Sequence, residues 1–445
     1  MRIAIVGSGV SGLGAAWLLS RQHEVTLYEA AARPGGHSNT LEIEAEGRAL
    51  AVDTGFIVYN ELNYPNLIRL FDTLGVETEA SDMTFAVSLD GGSLEYSGSV
   101  AGLLADKRNF LRPRVWRMTR DVLRFFRKAE ADISGLSDET TLGGYLEAKG
   151  YSRDFVHDHL LPMGAAIWSC ASNDMLTFPA RSFLEFYRNH GLLNLNRRPQ
   201  WRTVSGGSRS YVQRLLAESD LDLRFATPVV ALRRQAGRNV VIDHRGQGEA
   251  YDEVVFACHG DQARAILGTS MTGEVAETLG AFRYQKNEAF LHSDTALMPK
   301  RRALWSSWNY LGEDVGSSGS VSVTYWMNRL QNLPVETPVL VSLNPGRAPD
   351  PSKTWARMTY DHPLFDRGAL AAQRALPSIQ GRDGLWFCGS YCGHGFHEDG
   401  LQAGFAVASA LGCPAPWESE IEPRSPSAWT ARPAPTEAPL AIAAE

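Results

Sequence analysis

The sequence predicts an α/β protein in which a doubly wound nucleotide-binding domain is interleaved with an α+β substrate domain. Three observations predict it. The chain opens on an apolar run, Arg2–Val6, turns at Gly7-Ser8-Gly9-Val10-Ser11-Gly12, continues as an apolar periodic segment to Leu19, and returns in a β-rich run, Val25–Tyr28, ending in Glu29. A second strand, glycine and helix passage runs from Leu385–Cys388 through Gly389 to a helix start at His397. Between these ends, β-rich stretches alternate with aromatic, helical ones.

The first thirty residues form a βαβ unit carrying Gly-x-Gly-x-x-Gly, the Rossmann-like pattern. Gly7 permits the tight turn, Gly9 lets backbone approach a pyrophosphate, and Gly12 lets helix pack on strand. The helix N-terminus supplies N–H donors and positive dipole to phosphates. Glu29 is placed to accept from a ribose 2′-OH, which favours an unphosphorylated adenosine ribose such as that of FAD or NAD. No second such motif stands between a strand and a helix, so none marks a site for NADPH.

At 445 residues, 44% hydrophobic and 21% charged, the composition is that of a globular enzyme of two or three domains. A net charge of -7 argues against nucleic acid as a partner. Cys170, Cys258, Cys388, Cys392 and Cys413 are odd in number and mostly scattered, and the sequence starts directly in a strand. This predicts a reducing cytoplasm and no disulfide frame. No apolar run is long enough to span a bilayer.

After Glu29 and Ala30 come Gly35-Gly36-His37, then β runs Thr40–Glu44 and Ala49–Asp53 turning at Glu46-Gly47, closed by Thr54-Gly55-Phe56. Paired glycines directly after the ribose acid bring backbone close to something bulky. Here the chain resembles the flavin-containing amine oxidase superfamily, which includes protoporphyrinogen oxidases and phytoene desaturase-like enzymes. In that superfamily Gly-Gly-Arg packs on the FAD pyrophosphate; this sequence has His37 at the arginine position, a titratable group in place of a permanent cation. The resemblance implies non-covalent FAD, held by residues 7–12, Glu29, Ala30, Gly35, Gly36, His37, Thr54, Gly55 and Phe56, with Val229 and Val230 at the adenine.

The spacing predicts a helix over Tyr64–Leu74 stopped at Gly75, and a hairpin of Phe85–Leu89 and Ser93–Tyr96. From Lys107 to Lys128 nine lysines and arginines stand against the single acid Asp121, interleaved with Val115, Trp116, Met118, Val122, Leu123, Phe125 and Phe126. Two readings stand: a basic amphipathic helix on an anionic membrane, with Trp116, Val122, Phe125 and Phe126 entering it, or a solvated face packed on the protein. Helical patterns continue over Thr141–Lys149, Arg153–Ile167 and Phe178–His190; His157, His159 and His190 have no metal-ligand spacing and read as structural or surface residues.

Strands follow at Leu221–Phe225, Val229–Arg233, Val240–His244 and Tyr251–Cys258. Trp305, Trp308, Tyr310, Tyr325 and Trp326 then suggest either aromatic strands roofing an apolar pocket or a plain aromatic core. At the far end the superfamily carries a second flavin motif, matched at Gly389 and Gly400; Ser390, Asp399 and Leu401 replace its usual acid, Glu and Ala. The N–H groups of Gly400 and Leu401 are expected to face the flavin pyrimidine edge and stabilise reduced flavin. Tyr391, His397 and Glu398 are candidate bases by proximity alone. The rival reading, a zinc site of Cys388, Cys392, His394 and His397, is weakened by the glycines between them, and no metal is expected.

These readings place the FAD-binding domain at 1–80, 203–285 and 380–412, the substrate domain at 81–202 and 286–379, and a disordered, proline-rich tail at 413–445. With its Gly-Ser-Tyr-x-Gly-x-Gly-Phe-His-Glu-Asp-Gly-Leu run at 389–401 and Thr-Tyr-Trp-Met-Asn-x-Leu-Gln run at 324–331, the chain looks most like a bacterial set within the superfamily associated with cyclopropane and methylated fatty-acid synthesis. That implies dehydrogenation of a lipid acyl chain, electrons leaving to oxygen or a quinone, at the cytoplasmic face of a membrane. A flavin amine oxidase is the same-class alternative. A lipid-binding protein of the GDP-dissociation-inhibitor type, without flavin, is the other.

Overall fold

The computed structural model describes residues 1–137, 139–168, 175–189, 191–193, 199–268, 273–312 and 322–421. The chain divides into two units, Met1–Gly36 with Leu215–Phe282 and Ala369–Glu445, and His37–Arg214 with Arg283–Gly368.

In the first unit the opening pattern folds as read. Strands Arg2–Val6 and Glu24–Tyr28 pair in parallel around the helix Val10–Leu19. They sit in a five-stranded parallel sheet ordered Leu221–Arg224, Glu24–Tyr28, Arg2–Val6, Glu253–Phe256, Leu385–Phe387. The strands Arg2–Val6, Glu253–Phe256 and Leu385–Phe387 are largely buried apolar runs, as a sheet covered on both faces requires, while the edge strand Leu221–Arg224 alternates and is partly exposed. The expected strand Tyr251–Cys258 is broken at Asp252, whose N–H donates to Arg2 O (2.9 Å). Gly248–Tyr251 therefore joins the antiparallel sheet of Val229–Gln235 and Arg238–Asp243.

The last helix, His397–Ala410, packs against the first. A Cβ on Gly404 would stand 2.2 Å from Ser11 O, and one on Gly14 would stand 2.7 Å from Leu401 Cδ1. Beyond this helix the expected tail begins too early: Cys413, Ala415 and Trp417 are buried, and the Trp417 ring lies 6.0 Å from Trp17 and 5.9 Å from Phe405. The remainder of the expected tail, 422–445, lies outside the described residues, as does His190.

The second unit is built on a seven-stranded sheet running Thr354–Leu364, Arg283–His292, Leu340–Leu343, Ser322–Trp326, Trp308–Gly312, Phe85–Leu89, Leu94–Ser97. The hairpin Thr40–Ala45/Arg48–Asp53 belongs to this unit, whereas the sequence pattern places residues 1–80 together in the other domain. Its Ile43, Ala45, Leu50 and Val52 bury against Leu291, Met327, Leu330, Val339 and Val341. Asp53 closes the hairpin, accepting from Thr40 Oγ1 (2.5 Å), Ser208 N (2.9 Å), Ser208 Oγ (2.7 Å) and Gln331 Nε2 (3.0 Å). Burial pushes its carboxyl up to about 6 against these donors.

The basic stretch folds as a short turn, Lys107–Leu111, and a twenty-residue helix, Pro113–Asp132. Its buried stripe is Val115, Met118, Asp121, Phe125 and Ala129. Phe125 is fully buried against Tyr151, Phe155 and Tyr187, so it does not reach solvent as the membrane reading expected; Val122 packs beside Val115 and Met118. Much of the local charge is matched from elsewhere in the unit. Arg114 pairs with Asp158 (2.6 Å) and Asp90 (3.0 Å), Arg117 with Asp154 (2.5 Å), and Arg120 and Arg124 with Asp121 (3.1 and 3.6 Å).

In the core of the sheet His292, fully buried, meets Ser342 Oγ (2.8 Å), which meets Thr324 Oγ1 (2.7 Å). Asp294 N donates to His292 Nδ1 (3.0 Å), so Nε2 carries the proton. Burial lowers the imidazole to about 4. The unfolded chain binds the extra proton first, so this contribution is present above pH ~6.5 and is lost as pH falls toward ~4. Denaturant unfolding should show about 2 kcal/mol lost between pH 7 and pH 5 through this group, and His292→Gln should lack that component.

Candidate functional site

In the first unit the glycines of the opening turn divide by physical role. Gly7 has φ +109, and its Cβ would stand 2.8 Å from Ala257 O; a Cβ on Gly12 would stand 1.9 Å from Gly7 O. Both are required by the protein's own backbone. Gly9 is different. Its φ of -68 and ψ of 179 suit any residue, and a Cβ there would meet nothing within 4 Å. The space it keeps open lies at the N-cap of the Val10–Leu19 helix, whose first N–H groups have no partner within the helix.

Glu29 braces this turn. Its Oε2 accepts from Ser8 N (2.9 Å) and Ser8 Oγ (2.6 Å), and its Oε1 from Ala31 N (2.8 Å), beyond Ala30. Oε1 keeps capacity for a further donor. Gly35 N donates to Ser8 O (2.9 Å), and Gly36, with φ +55, lies against Gly9. Thr227 N donates to Glu29 O (2.8 Å), which brings the start of the Val229–Gln235 strand to the acid; Val229 is buried and Val230 is 51% exposed.

The second glycine passage meets the first at the helix pair. A Cβ on Gly400 would stand 2.9 Å from Val10 Cγ1 and 3.0 Å from Ser11 Oγ, and Leu401 is buried against Gly14. The N–H of Gly400 does not point out of the helix as expected. It donates to Phe396 O (3.1 Å), because Phe396 is the N-cap and Gly400 stands a full turn in. Leu401 stands one residue further inside the helix, so the outward N–H positions are those of His397, Glu398 and Asp399. The Asp399 carboxylate turns back to accept from Phe396 N (2.9 Å), capping the helix, and burial raises it above the usual range.

The loop before this helix is drawn tight. Gly393 N and Gly395 N both donate to Ser390 O (3.1 Å), and Gln373 Nε2 donates to Tyr391 O (2.8 Å) and Gly393 O (2.6 Å). Gln373 is a residue the sequence did not single out, since an amide that reads backbone carbonyls leaves no spacing signal. Gly389 admits the Tyr391 ring, which would stand 2.5 Å from a Cβ there. Tyr391 is buried against Phe282 (4.6 Å), a packing position. Glu398 is buried, and burial lowers His397 to about 3, so it is neutral at ordinary pH. Burial pushes Cys258 up to about 12 and raises Cys388 and Cys392. Among the described residues no three His, Cys, Asp or Glu side chains gather as a metal-holding group.

The remaining expected contacts fall in the second unit. Gly55 lies against His37, whose carbonyl would stand 2.3 Å from a Cβ there and accepts from Phe56 N (2.7 Å). The His37 ring lies 5.0 Å from Tyr360 and 5.4 Å from His362, neither of which the sequence flagged. Tyr360 OH meets Thr54 Oγ1 (2.7 Å) and accepts from Asn39 Nδ2 (2.9 Å), while His362 Nδ1 accepts from Asn287 Nδ2 (3.1 Å). Phe56 packs edge to face on Tyr211 (6.4 Å).

The family model described as flavin containing amine oxidoreductase matches residues 10–332. Among solved structures, cyclohexylamine oxidase from Brevibacterium oxydans IH-35A aligns over 92% of this chain and 98% of its own, with TM-score 0.68 and 17% identity. The fatty acid isomerase of P. acnes that produces CLA aligns over 91% and 96%, with TM-score 0.64 and 14% identity. Putrescine oxidase bound to putrescine aligns over 92% and 99%, with TM-score 0.65 and 14% identity. No curated protein sequence matches.

The first unit fits FAD. The open space beside Gly9 and the helix N-terminus suit a pyrophosphate, Glu29 a ribose, and the exposed Val230 an adenine edge. Gly9→Val should fold, as a Cβ there meets no protein atom within 4 Å, yet carry no FAD; flavin content and circular dichroism check this, and stoichiometric FAD in a folded variant contradicts it. Glu29→Ala should weaken FAD by roughly 1 to 3 kcal/mol, the scale of a charge-assisted hydrogen bond, in a fluorescence titration of apoprotein.

Proposed function

The chain belongs to the family of flavin containing amine oxidoreductases, and from that premise we propose that it dehydrogenates a methylated or unsaturated fatty acyl chain of a membrane lipid. FAD, when bound, supplies the hydride acceptor. Gly9 and the first helix would hold its pyrophosphate and Glu29 its ribose. The start of the last helix, at His397–Asp399, would lend its positive end to the pyrimidine edge, one turn earlier than Gly400.

The observation that carries the acyl reading is the aromatic run on the second unit's sheet. Trp308 and Tyr325 meet at 5.1 Å and 90°, and Trp305 and Trp326 at 5.5 Å and 89°. Trp308 and Tyr325 pack on the cluster of Leu291, Met327 and Val341, and Trp305 and Trp326 pack with Met298 and Leu340, so this part of the sheet is apolar. The Trp305 and Trp326 faces already lie under Arg302 (5.1 Å) and Arg329 (5.8 Å), which disfavours a substrate ammonium there. The carboxylate beside them, Asp82, accepts from Ser307 Oγ (3.0 Å) and is paired with Arg329. The fatty acid isomerase is one relative in fold with such a substrate class. The cyclohexylamine and putrescine oxidases favour the second reading, an amine oxidase. Membership of a flavin oxidoreductase family sets aside the flavin-free binding protein. Oxygen or a quinone receives the electrons, and the cytoplasmic face of a membrane is the proposed location.

Anaerobic mixing tests the substrate. A phospholipid carrying a methylated acyl chain should bleach the oxidised flavin and emerge lighter by two hydrogens in mass spectrometry, while cyclohexylamine and putrescine leave it oxidised. Bleaching by the amines alone transfers the protein to the second reading.

A further inference from the structure

The turn Lys107–Leu111 and the helix after it present an inverted surface. Among the described residues, five of the nine exposed large apolar side chains fall within 104–123: Leu104, Phe110, Leu111, Trp116 and Leu123. Leu111 is 82% exposed and Phe110 59%. The uncharged polar residue of the turn, Asn109, and its N-cap, Asp106, point inward, while Lys107 and Arg108 stay exposed. Asn109 is fully buried, its Nδ2 donating to Glu95 O (2.9 Å) and Leu103 O (3.1 Å). Asp106 is buried and paired with Arg108 and Arg301 (3.0 Å each). A turn ordinarily does the reverse, because burying apolar side chains stabilises the fold and exposing them does not.

We propose that this surface docks on an anionic lipid bilayer, with Phe110, Leu111 and Trp116 entering the headgroup boundary. The tip is rigid. Phe110 and Trp116 meet edge to face at 5.6 Å, and Trp116 Nε1 donates to Phe110 O (2.8 Å). The indole donor is therefore satisfied within the protein, and the ring enters an apolar layer without an unpaired N–H. Leu104, Lys107, Phe110 and Leu111 line an open groove at the tip. Along the helix, Trp116 and Leu123 share a face with Arg120 and Arg127 at helical spacing. Lys107 and Arg112 flank the apolar tip, so its charge complements anionic headgroups. No helix among the described residues is long and apolar enough to cross a bilayer, so attachment of this kind would be peripheral. The inference does not depend on which substrate the flavin site takes.

The test is sedimentation of the FAD-loaded protein with vesicles of phosphatidylcholine, pure or with about one third phosphatidylglycerol, at low and high salt. The protein should bind the anionic vesicles at low salt and release at high salt. Lys107→Gln with Arg127→Gln should weaken binding about thirtyfold, and Phe110→Ser with Leu111→Ser about tenfold or more, with FAD content unchanged in both. Should the serine variant fail to fold, the glutamine variant decides. Absence of vesicle binding, or binding equal in all variants, overturns the proposal. So does a dimer in analytical ultracentrifugation that the serine variant alone dissolves while vesicle binding persists; the surface is then an interface between copies.

Discussion

The first unit depends on one backbone contact, the crossing of its first and last helices. Gly404 touches Ser11 without a side chain between them, and Gly400 lies against Val10 and Ser11 a turn earlier. Any larger residue would force the helices apart, and their N-terminal ends would separate with them. Because the contact is close, two helix N-termini that are nearly four hundred residues apart in sequence open beside each other: that of Val10, after the glycine turn, and that of His397, after the Ser390 loop. Two positive helix ends so placed suit a ligand with negative charge along its length, which is the electrostatic character of a dinucleotide.

The polar groups around this crossing are engaged in ways that hold shape and leave room. Glu29 binds Ser8 of the glycine turn, and Asp399 caps its own helix. Gln373 satisfies two carbonyls of the Ser390 loop that would otherwise strain a buried segment. Desolvation raises the Cys258 and Cys388 thiols, which disfavours the thiolate that a metal ligand or nucleophile needs. What remains open, beside Gly9 and at Val230, is space that the protein does not fill with its own atoms.

The second unit treats charge in the same manner. Its basic helix is not an isolated field: Asp90, Asp154 and Asp158 face it, and Asp121 is buried on its inner stripe. Pairing of this kind lets a strongly cationic helix pack on an acidic protein. The charges that stay outward, with Trp116 and the Lys107–Leu111 tip, are what distinguish this surface from an ordinary solvated face.

By itself the sequence determined the βαβ opening, the acid that ends its second strand, the second glycine passage and the hairpins, because local periodicity, turn glycines and strand-terminal acids report forces acting within some thirty residues. It assigned Gly7, Gly9 and Gly12 separate roles by motif alone, and the structure supplies the physical difference: a Cβ on Gly7 or Gly12 would strike backbone atoms, and one on Gly9 would meet none. Tertiary structure alone decided that Gly400 serves packing rather than donation, that the 40–53 hairpin buries on Met327 and Leu330, and that Trp417 closes on Trp17. It also decided which side of the basic helix faces inward. Each of these depends on atoms brought together from distant parts of the chain, and a residue's own neighbours in sequence carry no record of which surface will meet it.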